Sequence, residues 1–265
     1  MGTAILAYPA VKYIKRKYPD AELFYMIFER NRASVDMLGE IPVENVLTIS
    51  DSSLGMFFKD AVKSLLRMHK EEVDVVFDLE LFSRASAILS FLSCAPIKVG
   101  FHRYRMEGLY RGNFFTHKIQ YNFQQHLSKT LLSFAKVIHT ERKDYPTMDE
   151  QIADEEIVAK SYESSEECIE SIWKKLKKIN PQVGRKNKLV ILNPSAGLLP
   201  IRAWPVKNYI QLAQRILEDS NNCIILTGVK NDRAITGEVF SALDSGRCID
   251  LTCKTTFPEL VDLYN

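Results

Sequence analysis

The chain has 265 residues, 46% of them hydrophobic and 26% charged, with a formal net charge of +2. That length is comfortable for two domains. The balance excludes a disordered chain and a nucleic-acid binder driven by bulk charge, though not a local basic patch.

Predicted strands and helices alternate from the start. Ala4 to Tyr18 places Ile5, Leu6, Val11 and Ile14 on one helical face, with Lys12, Lys15, Arg16 and Lys17 opposite or near its end. Pro19-Asp20 breaks that helix, and Glu22 to Phe28 reads as a buried strand. A short helix around Arg32 to Leu38 leads to a strand over Val43 to Ile49, and Phe57 to His69 is an amphipathic helix. Val73 to Leu79, with Val73, Val75 and Val76 β-branched, reads as a central parallel strand. Ser83 to Leu92 is helical, Ile97 to Phe101 a short strand, and Phe123 to His139 a long helix.

The stretch from Thr140 to Lys188 is charged, with one clear helix at Glu166 to Ile179. The rhythm then restarts: strand at Lys188 to Asn193, helix at Val206 to Glu218, strand at Cys223 to Thr227, helix at Asp232 to Ala242, strand at Cys248 to Leu251 and a helix from Phe257. Strict alternation implies an α/β fold with parallel sheets. The expected organisation is two Rossmann-like domains facing a cleft: residues 1–145, a connector with a helix over 146–187, and a partial second domain over 188–265. Three strands are few for a doubly wound half, so the second domain reads as incomplete. Gly2 directly precedes a helix and Asn265 falls inside one, so a fragment lacking both ends is expected.

The five cysteines form no Cys-x-x-Cys pair, which argues against a zinc or thioredoxin-like site. Four of them sit in apolar sequence and read as reduced core thiols in a cytoplasmic protein. No apolar run approaches the roughly 20 residues needed to span a bilayer, and the start lacks a signal peptide's basic segment. A soluble protein, at most peripheral to a membrane, is expected.

Neither Gly-x-Gly-x-x-Gly nor a Walker sequence occurs, and His-Glu-x-x-His and Gly-x-Ser-x-Gly are also absent. The most informative segment is Asn193-Pro-Ser-Ala-Gly-Leu-Leu-Pro-Ile-Arg-Ala-Trp-Pro205, between a strand and a helix whose first turn Pro205-Val206 would open. Its small residues Ser195, Ala196 and Gly197 let backbone N–H groups approach an anion, and Arg202 can add charge. A plain loop with a packed Trp204 is the alternative. Thr227-Gly-Val-Lys-Asn-Asp232 is the next loop on the same sheet edge, where open α/β sheets bind ligands. Asp232 either accepts from ribose hydroxyls or caps a helix. Gly2 to Pro9 is a glycine turn opening a helix, and Phe101 to Arg111 combines arginines with tyrosines as a surface for an anionic or sugar acceptor, or as a solvated connector. His126 by itself reads as a packing histidine.

Taken in order, several segments resemble glycosyltransferase family 9, the ADP-heptose:lipopolysaccharide heptosyltransferases. They are Gly2-Thr-Ala-Ile-Leu-Ala-Tyr-Pro-Ala10 with Lys15-Arg-Lys-Tyr-Pro-Asp-Ala21; Asp74-Val-Val-Phe-Asp-Leu79 with Ser83-Arg84 and Ser86; Val99-Gly-Phe101; Gln125-His126; and Asn193 to Gly197 through Arg202-x-Trp-Pro205 and Leu226-Thr-Gly228. The resemblance implies a GT-B fold and transfer of a heptose-like sugar from an ADP-heptose-like donor to a lipopolysaccharide-core or other envelope glycan. Transfer would be inverting, with no metal and no cofactor. It places Ser195, Ala196, Gly197 and Arg202 at the donor diphosphate, Asp232 at the ribose, and Gly2, Arg103, Arg105, His126 and Phe101 towards the acceptor. It also implies contact with the cytoplasmic face of the inner membrane and no nucleic-acid partner.

Two departures stand out. Family members carry Asp after the turn glycine as general base, and here that position is Thr3. The family's Asp-Ser/Thr-Gly-x-x-His segment would follow Asn265, so the chain as written should bind donor poorly. The alternatives are a non-catalytic glycan- or nucleotide-binding relative and a sugar-nucleotide epimerase on the same fold.

Overall fold

Short strands of three to five residues, separated by helical segments, form parallel sheets flanked by helices. The computed structural model describes residues 2–102, 110–142, 145, 151–195, 197, 201 and 203–265. The chain divides into two units, residues 1–161 and 162–265.

The first unit opens with α1 (Gly2–Leu6) and α2 (Tyr8–Lys17). One continuous helix was expected here. Instead Ala7 separates two, because Pro9 in the first turn of α2 has no N–H to continue the ladder. Strand β1 (Tyr25–Phe28) follows, then α3 (Ala33–Asp36), β2 (Val46–Ile49), α4 (Leu54–Lys70), β3 (Val75–Asp78), α5 (Arg84–Leu92), β4 (Ile97–Phe101), β5 (His117–Ile119) and α6 (Leu127–Val137). Strand β1 pairs in parallel with β2, and β3, β4 and β5 form a second parallel sheet in that order. β5 carries His117 and Lys118, both buried, and no apolar run marks it in the sequence. The long helix expected from Phe123 begins only at Leu127, where the His126 side chain accepts from the Ser128 N–H.

Phe101, expected towards the acceptor, lies instead in the core: it stacks edge-on against Phe134 and Tyr121. The reason is the alternation of β4, which turns Val99 and Phe101 onto the face that α6 covers. Gly100 between them is a packing requirement. A Cβ there would sit 2.5 Å from the Phe115 ring.

The second unit contains α7 (Glu166–Ile179), β6 (Lys188–Leu192), α8 (Val206–Leu217), β7 (Asn222–Leu226), α9 (Arg233–Leu243), β8 (Cys248–Asp250) and α10 (Phe257–Tyr264). Helix α7 starts where Ser165 accepts from the Cys168 N–H; Glu166 and Glu167 follow, and Lys177 and Lys178 close it, matching the helix dipole at both ends. The sheet order is β6-β7-β8, all parallel, so β7 is central and buried on both faces. Its Cys223 and Ile225 pack with Ile172 and Leu176 of α7 and Leu263 of α10. Ile224 and Leu226 pack with Ala213 of α8 and Val239 of α9. On α8 the facing residues Val206, Tyr209, Ile210, Ala213, Ile216 and Leu217 keep helical spacing. Truncating a β7 residue such as Ile225 to Ala would cost about 2–5 kcal/mol.

The cysteine expectation needs correction. Cys223 and Cys248 are buried, Cys168 is half-buried, and Cys94 and Cys253 are exposed. The exposed pair have positive φ, closing turns beyond α5 and β8 rather than joining the core.

Candidate functional site

Parallel strands leave their carboxyl ends at one edge of a sheet, and loops to the next helices gather there. In the second unit β6 and β7 deliver two loops to that edge, and a serine and an aspartate join them. Ser195 Oγ donates to Asp232 Oδ1 at 2.7 Å. The Gly197 N–H donates to Ser195 Oγ at 3.0 Å, and Gly197 holds φ +60°, a conformation glycine takes freely. The Val229 N–H donates to Asp232 Oδ2 at 2.8 Å.

Asp232 stands at the N-cap position of α9, but its side chain makes no capping bond to that helix. It is buried and links the two loops. Gly228 makes room for it: a Cβ at 228 would lie 2.9 Å from the Asp232 Cβ. The Thr236 hydroxyl donates to the Asp232 carbonyl at 3.1 Å, fixing the backbone from the α9 side.

Two buried hydroxyls at the same edge were not anticipated. Thr227 follows β7 and Thr252 follows β8 closely, and both Oγ1 atoms lack a hydrogen-bond partner among the described residues. Each can donate one bond and accept others. Thr227 belongs to the Leu226-Thr-Gly228 segment, whereas Thr252 carried no signal beyond a threonine after an apolar strand. Trp204 is packed edge-on against Tyr209 at 5.0 Å yet remains half exposed. Pro205 occupies the N-cap of α8, one position before the expected first turn. Ala196 and Arg202 lie outside the described residues.

In the first unit the carboxyl end of β3 carries Asp78. The Arg111 guanidinium donates to Asp78 Oδ2 at 2.5 Å, and both side chains are about 1% exposed. Ser86 Oγ donates to the same oxygen at 3.1 Å, and the Glu80 N–H to Oδ1 at 3.1 Å. Arg111 also donates to Ser86 Oγ and to the carbonyls of Ser83 and Glu80. Burial pushes the Asp78 carboxyl up, against the opposing pull of Arg111. Arg111 was expected in an exposed basic loop; it is a buried counter-ion instead. A carboxylate ending an apolar strand needs a cation, and that was the available signal.

Gly2 and Thr3 lie in α1, with Gly2 exposed and Thr3 half-buried, its carbonyl accepting from the Ala7 N–H. His126 is an exposed N-cap, its Nδ1 3.3 Å from the Ser128 nitrogen. Arg103 and Arg105 lie outside the described residues. Among the described residues no group of His, Cys, Asp and Glu could hold a metal ion, and no helix is long and apolar enough to cross a membrane.

Parallel sheets flanked by helices in each of two units define an α/β protein. Structural similarity agrees over nearly the whole chain. The ADP-heptose lipopolysaccharide heptosyltransferase II of Escherichia coli matches with a TM-score of 0.69 at 18% identity, covering 98% of this chain and 72% of that one. A family 9 glycosyl transferase of Veillonella parvula matches with a TM-score of 0.74 at 14% identity, covering 98% and 68%. In sequence, lipopolysaccharide heptosyltransferase 3 of Escherichia coli (strain K12) is 22% identical over 265 residues, 98% of this chain and 70% of that relative. Residues 63–265 match the family described as Glycosyltransferase family 9 (heptosyltransferase). The chain belongs to that family and is a glycosyltransferase of the heptosyltransferase type.

Proposed function

We propose that this chain transfers a heptose-like sugar from a nucleoside-diphosphate donor to a hydroxyl of a lipopolysaccharide-core or other envelope glycan. The transfer would invert the anomeric centre and need neither metal nor cofactor. The observation that carries the reading is the Ser195–Asp232 bridge between adjacent loops at the carboxyl edge of β6 and β7. A relative of the same fold, Escherichia coli heptosyltransferase WaaC, was solved with ADP and with ADP-2-deoxy-2-fluoro heptose, which supports an ADP-heptose-like donor.

In this reading Ser195, the backbone at Ala196 and Gly197, and Arg202 meet the diphosphate. They stabilise negative charge as it develops on the leaving group. Asp232 has spare acceptor capacity on both oxygens for ribose hydroxyls. Gly2, Arg103, Arg105 and His126 lie on the acceptor's path, and the protein meets the membrane bearing that acceptor peripherally.

Thr3 occupies the position of the family's base, and a threonine hydroxyl is not deprotonated near neutral pH. Another carboxylate then takes the acceptor proton. Thr3 is also the feature that favours a non-catalytic binding relative.

The deciding experiment follows nucleoside diphosphate release from ADP-heptose with and without a lipopolysaccharide-core acceptor. Acceptor-dependent release is expected. Arg202→Ala should lower turnover roughly 10²-fold, and Thr3→Asp should raise it or leave it unchanged. Nucleotide binding without turnover would replace transfer with the binding reading. Conversion of the donor sugar with no diphosphate released would point to an epimerase.

A further inference from the structure

Helix α4 exposes more apolar surface than packing in the first unit explains. Its inner face, with Ala61 and Ser64, is buried. On the outer side Leu54, Phe58, Val62 and Leu66 follow one another at four-residue intervals, a single row along the helix. They are 78%, 64%, 54% and 64% exposed. Beside that row, by helical geometry, run Lys59, Lys63 and Lys70, all exposed and with no ion pair among the described residues. The one acidic residue within α4, Asp60, is turned inward, where its Oδ2 accepts from the Ser50 N–H at 3.0 Å. Arg67 pairs with Glu71. The outer face therefore presents an apolar row and a basic row with no carboxylate between them. Helix α5 packs alongside and exposes Ile88 and Leu92.

An exposed apolar row of this length requires an occupant. The adjacent lysines select its chemistry, because unpaired ammonium groups flanking an apolar row match an acyl boundary topped by anionic headgroups. A second copy laid row against row would bring two sets of unpaired lysines to one rim, which like charge opposes. We propose that α4 docks this chain on an anionic lipid bilayer. The helix lies in the plane of the interface, with Leu54, Phe58, Val62 and Leu66 in the headgroup–acyl boundary and Lys59, Lys63 and Lys70 on lipid phosphates. This rests on the peripheral membrane contact proposed above and names its surface.

The test is co-sedimentation of the full chain with phosphatidylglycerol–phosphatidylcholine vesicles and with phosphatidylcholine vesicles alone, at low and high salt. The chain should bind the anionic vesicles and release them at high salt as the charges are screened. Lys59→Gln and Lys63→Gln should each weaken binding about fivefold. The triple variant Phe58→Ser, Val62→Ser, Leu66→Ser should weaken it at least ~10-fold. These side chains face outward, so unchanged circular dichroism verifies folding. Wild-type binding that the α4 variants leave intact overturns the α4 assignment alone. No vesicle binding by the wild type overturns the peripheral contact as well, and equal binding to neutral vesicles overturns the role of the lysines. Diphosphate release is read separately, so failure of the transferase reading stays distinct.

Discussion

Both units bury an aspartate at or just beyond the carboxyl end of a sheet and give it a serine hydroxyl, yet the two aspartates are bonded differently. Asp78 is bonded by Ser86, the Glu80 N–H and the Arg111 guanidinium. Arg111 spends its remaining donors on Ser86 and the carbonyls of Ser83 and Glu80. That arrangement is closed: the charge is matched and the cation's donors are directed inward. Asp232 has Ser195 and the Val229 N–H, and no cation pairs with it among the described residues. Unpartnered hydroxyls of Thr227 and Thr252 stand at the same sheet edge. The closed cluster holds a loop to a strand, while the open one leaves hydroxyl bonding capacity unused among the described residues.

The largest effect that would test this contrast comes from Arg111. Arg111→Met leaves the Asp78 charge buried without its partner and should cost about 3–5 kcal/mol, read by urea unfolding. Pairing it with Asp78→Leu should recover most of that loss, since an apolar pair removes the unmatched charge. If the single variant unfolds like wild type, the cluster is not the structural clasp described.

Asp232→Asn should cost less, about 1–3 kcal/mol, because hydrogen bonds weaken with no cation stranded. Its main effect should be on donor affinity, measured by calorimetry with ADP. A stability loss equal to that of Arg111→Met would erase the distinction between the two clusters.

The smallest effect is a pH dependence confined to the second unit. The Lys175 ammonium, 2.7 Å away, and the Thr256 N–H hold the Glu259 carboxyl below its ordinary value. A depressed folded-state value means that the contribution is present above the unfolded glutamate pKa and is lost as pH falls through the folded one. Glu259→Gln should therefore lower stability slightly at neutral pH and flatten its decline in acid. Thermal unfolding curves from pH 7 to pH 3 would show whether the decline survives the substitution.

Most elements were legible in the sequence because local chemistry carries them. Ile97–Phe101 and Glu166–Ile179 form the strand and the helix expected of them. β5 was invisible for a physical reason: three residues with a histidine and a lysine become a strand only because β4 offers them a paired edge. The split of the first helix at Ala7 was readable from Pro9 but was outweighed by the apolar pattern around it.

For the site, sequence alone determined the class of chemistry. Small residues between a strand and a helix, a second loop at the next strand and the ordered family segments all lie in the one-dimensional record. Which groups meet was decided only in three dimensions. Ser195 and Asp232 are 37 residues apart, and Asp78 and Arg111 are 33 apart. No local rule distinguishes an exposed aspartate or arginine from a buried one. Tertiary structure decides it, because a charge removed from water must find its partner in whatever the fold brings alongside.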